Sequence, residues 1–248
     1  MVEQKRKRAC LLGLPIDITS LGQVRDLLLS ADVSQHVITI NPEMITKAYK
    51  DRNLSELIKS ADWVVPDGVG VVIALKMLGV KANRIPGIEL AFELLKVANE
   101  MGLKVALLGA DEDTIQTARE ELLKDLPNLN LVYIRNGYFS QDEEEKIIQE
   151  INQVQPDIIL AGLGFPKQEI LLKRFKNFQN KAIMIGVGGS FDVWSKKLKR
   201  APKIFQKLNL EWFYRLLCQP SRFKRMFPTI PLFLLRIPLE SKLNRKEY

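Results

Sequence analysis

Asp67 stands in VVPDGVGVV (64–72), where a run of valines ends in a proline, an aspartate and a glycine before a second apolar run begins. Two readings of that carboxylate are open. Aspartate is favoured at the N-cap of a helix, and GVGVVIALKML resumes as one. The carboxyl end of a strand is also where open α/β sheets bind ligands. Three other segments put glycine where a strand should end: LLGADEDT (107–114), AGLGFPKQE (161–169) and IGVGGSFDVW (185–194). Glycine lets the backbone approach a ligand closely, and the following helix offers free N–H groups to a phosphate. Singly, such turns are common for structural reasons; three together point to a nucleotide or phosphate ligand. None is a complete dinucleotide fingerprint, and no Walker A sequence occurs. The DED at 111–113 has the Asp-x-Asp form of a metal–diphosphate ligand pair, but its place before a helix fits acidic N-terminal capping better.

Composition removes other chemistries. The chain has 248 residues and 46% hydrophobic content, ordinary for a globular protein. Its two cysteines, Cys10 and Cys218, cannot form a disulfide framework or a four-thiolate zinc site. The single histidine, His36, lies in the apolar run HVITI and reads as a core or strand-end residue, which argues against a Ser-His-Asp triad. No signal peptide is visible, and no stretch approaches the ~20 apolar residues of a membrane span. A cytoplasmic location is expected. The net charge of +8 is uneven: residues 196–248 hold 14 Lys/Arg against 3 Asp/Glu, a net of +11, whereas residues 1–195 hold 23 against 26, a net of −3. A basic tail suggests an anionic partner, either nucleic acid or a membrane surface.

The elements that must position these residues follow from periodicity. ACLLGL, QHVITI, DWVV, KVALLG, NLVYIRN, DIILAGLG and KAIMIGVG read as strands. Helical patterns lie between them, near 20–30, 42–59, 68–79, 87–101, 112–125, 141–154 and 166–178. Asn41-Pro42-Glu43 offers an N-cap, a proline at the first helical position and an early acid; SQDEEEKI opens with a serine and an acidic first turn. Alternating strands and helices predict an α/β, Rossmann-like fold: a mainly parallel sheet with helices on both faces. Residues 1–195 form that core. Residues 196–248 read as a helical, basic, amphipathic appendage. Residues 203–218 could form a helix with Ile204, Phe205, Leu208, Trp212, Leu216 and Cys218 near one face. A helical cap packed on the sheet and a membrane-binding segment both fit such a tail.

TINPEM, VVPDGVGVV, RIPGIEL, LLGA, GLGFPKQE and GVGGSFDVWSKKLKRAP occur in that order, and together they resemble the WecG/TagA/CpsF glycosyltransferases, the TagA-like branch most closely. The likeness covers about residues 10–240. It implies transfer of a sugar from a UDP-sugar to an undecaprenyl-diphosphate-linked acceptor. In that branch the donor is UDP-N-acetylmannosamine, the acceptor is lipid-linked N-acetylglucosamine, and the product is the linkage disaccharide of wall teichoic acid. UDP-N-acetylmannosaminuronic acid and UDP-glucose are the alternative donors. A nucleic-acid-binding module is the rival from another class, but the sequence shows no groove-reading helix or stacking sheet. The resemblance makes Asp67 the catalytic base. Arg84, Arg215, Arg222 and Arg225 become candidates to neutralise the leaving diphosphate, because a guanidinium offers paired donors to phosphate. No metal or other cofactor is expected.

The remaining matched positions divide by role. Thr39 and Asn41 would line the acceptor or sugar pocket, Asn41 equally serving as an N-cap. Gln168 would bond the sugar, or else lie exposed in a first helical turn. Gly109, Ala110, Gly188, Gly189 and Asp192 would surround the UDP, with Asp192 on the ribose or uracil or merely capping a turn. One departure stands in WSKKLKRAP, where many relatives have glycine after the serine; here it is Lys196. The basic tail matches an appendage that meets an anionic membrane surface and completes the active site, placing the protein peripherally on the inner face of the membrane. A homo-oligomer is compatible with the sequence.

Overall fold

A computed structural model describes residues 6–179, 181–198, 202, 205, 214 and 229–244. Six parallel strands form its central sheet: β3 (Gln35–Ile40), β4 (Trp63–Pro66), β5 (Lys104–Gly109), β6 (Asn130–Arg135), β7 (Ile158–Gly162) and β8 (Ile183–Gly186). Their order is β4-β3-β8-β7-β5-β6. Strands buried on both faces read as unbroken apolar runs. Val37, Val65, Leu107, Leu160 and Ile185 pack on one face; Ile38, Val64, Leu108, Ile159 and Met184 pack on the other.

Helices α1 (Leu21–Leu29), α5 (Gly87–Met101), α6 (Glu112–Asp125) and α9 (Ser190–Trp194) cover the first face. Helices α2 (Pro42–Lys50), α3 (Arg52–Lys59), α4 (Val69–Met77), α7 (Gln141–Val154) and α8 (Lys167–Lys176) cover the second. The expected α/β, Rossmann-like class is therefore observed. The expected caps are observed too: Asn41 accepts the N–H of Met44, and Ser140 forms a capping box with Glu143.

Two elements depart from expectation. ACLLGL does not join the parallel sheet. Its strand β1 (Arg8–Leu11) pairs antiparallel with β2 (Leu14–Asp17) through a turn at Leu12 and Gly13, both at positive φ. The buried Asp17 carboxylate pins this hairpin to the sheet edge: it accepts from Arg6 and Arg8 and from the Val64 N–H at 2.8 Å. The single helix expected over 42–59 is two. Asp51 is extended (φ −133°, ψ 112°), and its carboxylate caps Asn53 and Leu54, so the Asp side chain starts a second helix where the first ends.

The final described helix, α10 (Thr229–Asn244), packs against α2 and α4. Phe233 and Ile237 are buried there, in one cluster with the hairpin, α2 and α4. Apart from Phe205 and Tyr214, whose rings lie 5.5 Å apart, the helix expected over 203–218 lies outside the described residues. Among the described residues no helix is long and apolar enough to cross a membrane.

Candidate active site

The sheet order decides where a ligand fits. β3 leads to β4 at one edge, β5 leads to β6 at the other, and β8 closes the gap beside β3. In such sheets the crevice opens outside the carboxyl ends of the strands, where the order reverses. Thr39 and Asn41 end β3, Asp67 follows β4, Gly109 and Ala110 end β5, Gln168 follows β7, and Gly188 and Gly189 follow β8. All the candidates within the core stand on this one rim.

The acid corner is tightly built. The Asp67 N–H donates to the Ile40 carbonyl at 3.0 Å, tying the ends of β3 and β4. Gly68, not Asp67, is the N-cap of α4, and no side chain caps that helix. The capping reading of Asp67 therefore fails. Arg84 donates from Nε to the Asp67 carbonyl at 2.7 Å, and its guanidinium lies 3.9 Å from Oδ1. The Asp67 side chain is 31% exposed, enough to meet a substrate hydroxyl. The surrounding glycines and prolines have a steric cause. A Cβ on Gly68 or Gly70 would lie 2.8 or 2.7 Å from the Pro42 ring, and one on Gly87 would lie 2.7 Å from Thr39 Oγ1. NPEM, PDGVG and RIPG thus interlock as α2, α4 and α5 converge on one corner. Thr39 is buried, with Oγ1 3.4 Å from the Gly186 carbonyl, which links this corner to the β8 turn.

The glycine turns form the other half of the rim. Gly109 has φ 142°, and a Cβ there would lie 2.5 Å from the Gly162 carbonyl. Ala110 follows at φ 56°, and its N–H donates to that same carbonyl at 3.2 Å. Gly188 has φ 50°. Asp192 is half-buried in the first turn of α9; its carbonyl accepts from Ser195 Oγ and the Leu198 N–H. Asp111 N-caps α6 through Thr114, which holds its carboxyl down at about 2, and Lys197 bridges Asp111 and Asp113. The capping expectation for DED is met.

Gln168 is buried, which removes the exposed first-turn alternative. Its Oε1 accepts from the Gly164 N–H at 3.0 Å and the Gly188 N–H at 3.2 Å, while Nε2 donates to Glu169 Oε1 at 2.8 Å. Sequence reasoning passed over Glu169, which is 1% exposed. Helical spacing offered a signal: Gln168, Leu171, Leu172 and Phe175 share the buried stripe, and Glu169 lies beside it. Arg215, Arg222 and Arg225 lie outside the described residues. His36 is core, 1% exposed, and burial lowers it to about 4.

A sequence profile of the glycosyl transferase WecG/TagA/CpsF family matches residues 9–248. The chain belongs to that family. Among relatives of this glycosyltransferase is a Bacillus subtilis (strain 168) protein, 36% identical over 213 residues, covering 86% of this chain and 82% of its own. A Staphylococcus aureus (strain NCTC 8325) protein is 38% identical over 242 residues, 95% of this chain and 93% of its own. Both are named N-acetylglucosaminyldiphosphoundecaprenol N-acetyl-β-D-mannosaminyltransferase. Lys196 occupies the position where the sequence resemblance leads one to expect glycine. It stands at φ 61° just beyond the end of α9, the left-handed position where glycine is the usual occupant. The loop keeps the glycine's conformation without the glycine, and Lys196 pairs with Glu121 of α6.

Proposed function

We propose that this enzyme transfers N-acetylmannosamine from UDP-N-acetylmannosamine to N-acetylglucosaminyl-diphosphoundecaprenol, inverting the anomeric centre and using no metal. The observation that supports it best is the Asp67 corner: a partly exposed carboxylate, not used as a helix cap, held through its backbone by Arg84 at the carboxyl end of β4. The acceptor hydroxyl attacks the anomeric carbon while Asp67 takes its proton. The new glycosidic C–O bond forms as the bond to the UDP oxygen breaks, and the electron pair leaves with UDP. Arg84 faces the diphosphate from the Asp67 corner, the glycine turns let it approach the backbone closely, and Arg215, Arg222 and Arg225 add charge from the tail. Thr39 and Asn41 line the sugar pocket. Asp192 lies against the nucleoside.

The acceptor's lipid keeps the reaction at the cytoplasmic membrane face. The basic tail attracts anionic lipid by about 1 kcal/mol for each cation that reaches the surface, and the exposed Leu232 and Leu235 of α10, with Ile73 and Met77 of α4, offer apolar contact. The test is a donor screen on a water-soluble lipid-linked N-acetylglucosamine analogue, read by mass spectrometry. Transfer from UDP-N-acetylmannosamine, lowered about 10²–10⁴-fold in Asp67→Asn with donor binding retained, is the expected result. Transfer only from UDP-glucose or UDP-N-acetylmannosaminuronic acid, or an Asn variant with near-native turnover, would refute the donor or the base respectively.

A further inference from the structure

Glu169 is a buried carboxyl with no part in the chemistry above. It sits in the first turn of α8, against the Gly186 end of β8, where a Cβ on Gly186 would overlap both Gln168 Nε2 and Glu169 Oε1. Its Oε1 accepts from Gln168, and its Oε2 has no hydrogen-bond partner. A buried carboxylate with one oxygen unpartnered is costly, whereas the neutral acid is tolerated. Gln168 in turn is the only side chain among the described residues that bonds the backbone of both the β7 and β8 turns, through Gly164 and Gly188.

We propose that Glu169 is a positioning residue for the donor: as a neutral acid it fixes Gln168, and Gln168 holds the Gly164 and Gly188 turns together at the diphosphate. The inference rests on the donor reading given above. When Glu169 ionises, the cost of burying its charge outweighs the stronger hydrogen bond a carboxylate accepts from Gln168, and the side chain favours solvent over the apolar bed of α8. The Gln168 amide loses its anchor, and the two turns separate.

Among the described residues the strands packed against α8 supply no charge to offset this, and Glu144 and Glu145 of α7, which also packs on α8, are paired with Arg174 further along that helix. The strands packed against α8 are β3, β7 and β8. β7 and β8 carry no titratable side chain. β3 presents the Thr39 hydroxyl at this end, and its one titratable residue, His36, lies towards the other end near Asp62 and Lys176. The cation of Lys167 lies over the Phe139 ring at 4.1 Å, and that of Lys47 over Phe165 at 5.8 Å. Burial is accordingly the leading cause that pushes the Glu169 carboxyl up to about 7, against the smaller opposing effects of the Gln168 hydrogen bond and of its own backbone N–H.

The test is calorimetric titration of the full chain with UDP-N-acetylmannosamine, whose diphosphate diester does not titrate near neutrality. It is run at about pH 6 and about pH 8.5, either side of the Glu169 transition. Wild-type Kd is expected to rise about tenfold between them. Glu169→Gln, a neutral analogue, should bind at both values as wild type does at the lower. Gln168→Met, which cuts the link, should bind more weakly at both with no pH trend. A wild-type Kd flat with pH, or a wild-type trend preserved in Gln168→Met, overturns the proposal even if Glu169→Gln fails to fold. No binding of this donor at either pH, with UDP itself binding and showing the trend in wild type but not in Gln168→Met, refutes the donor assignment and supports the positioning role.

Discussion

Gly87→Ala should weaken this protein even though alanine is the better helix former. The new Cβ would lie 2.7 Å from Thr39 Oγ1, 3.1 Å from Cγ2 and 3.2 Å from Cβ. Rotation about χ1 of Thr39 can move Oγ1 and Cγ2 but not Cβ. Thr39 has little room to move, because it is 8% exposed and its strand pairs with β4 on one side and β8 on the other. Overpacking of this kind costs about 1–3 kcal/mol. Alanine returns at most about 1 kcal/mol of helix propensity, and less at the first residue of α5. A net loss of ~1–2 kcal/mol follows, which for a chain of this size lowers Tm by roughly 2–4 °C per kcal/mol. Thermal unfolding of Gly87→Ala, Thr39→Ala and the double variant measures it. Thr39→Ala removes the two closest atoms, so the double variant should be more stable than the sum of the single effects by more than about 0.5 kcal/mol, the usual limit of additivity. A Gly87→Ala protein as stable as wild type, or strict additivity, would refute the interlocked corner.

Acid should destabilise the fold through His36, since its folded value of about 4 lies below its ordinary 6.5 and the unfolded chain binds the proton first. Stability should therefore be full above 6.5 and fall by about 3 kcal/mol as pH drops to 4, a loss that denaturant titration should find absent in His36→Leu. Glu169 works in the opposite direction: its raised folded value stabilises at low pH and that contribution is lost as pH rises from 4.5 to about 7, so Glu169→Gln should show a steeper gain in stability over that range. At position 196 the usual ranking should invert, with Lys196→Gly more stable than Lys196→Ala by about 1 kcal/mol, because both lose the Glu121 pair but only glycine suits φ 61°; an alanine variant of equal stability in thermal melts counts against it. Chelation with EDTA should leave turnover unchanged, since Asp111 caps α6 and Asp113 is paired with Lys197; activity lost to EDTA and restored by Mn²⁺ would make that pair a metal site.

Local chemistry made most elements legible before the structure. Asn41-Pro42 and Ser140 start helices because their side chains meet backbone N–H groups two or three residues away, and those contacts need nothing from the rest of the fold. The unbroken apolar runs of β3, β5, β7 and β8 announced strands buried on both faces. The misreadings arose where a distant partner decides. Asp51 splits the 42–59 pattern, although Ile45, Ala48, Leu57 and Ile58 all remain buried and so keep the helical appearance. ACLLGL has the letters of a central strand, yet Asp17 commits the following residues to a hairpin by binding Arg6, Arg8 and the Val64 amide. Nothing local specifies that β8, late in the sequence, inserts between β3 and β7.

The same distinction governs the candidate site. Asp67, Gly109 and Gly188 were legible because each is anomalous in its own neighbourhood: a carboxylate after valines, or glycines where a strand ends. Gln168 was found only through its motif, and its use in linking two turns depends on β7 and β8 being neighbours. Glu169 was hidden by its letter. In a window as basic as KQEILLKRFK an acid reads as a solvated partner for lysine, whereas here it is packed against Gly186 and out of water. Gly186 lacks a side chain, and that gap gives the Gln168–Glu169 pair its place. A glycine read alone as freedom for the backbone is here room for two neighbouring polar groups, a use that no inspection of its own φ would disclose.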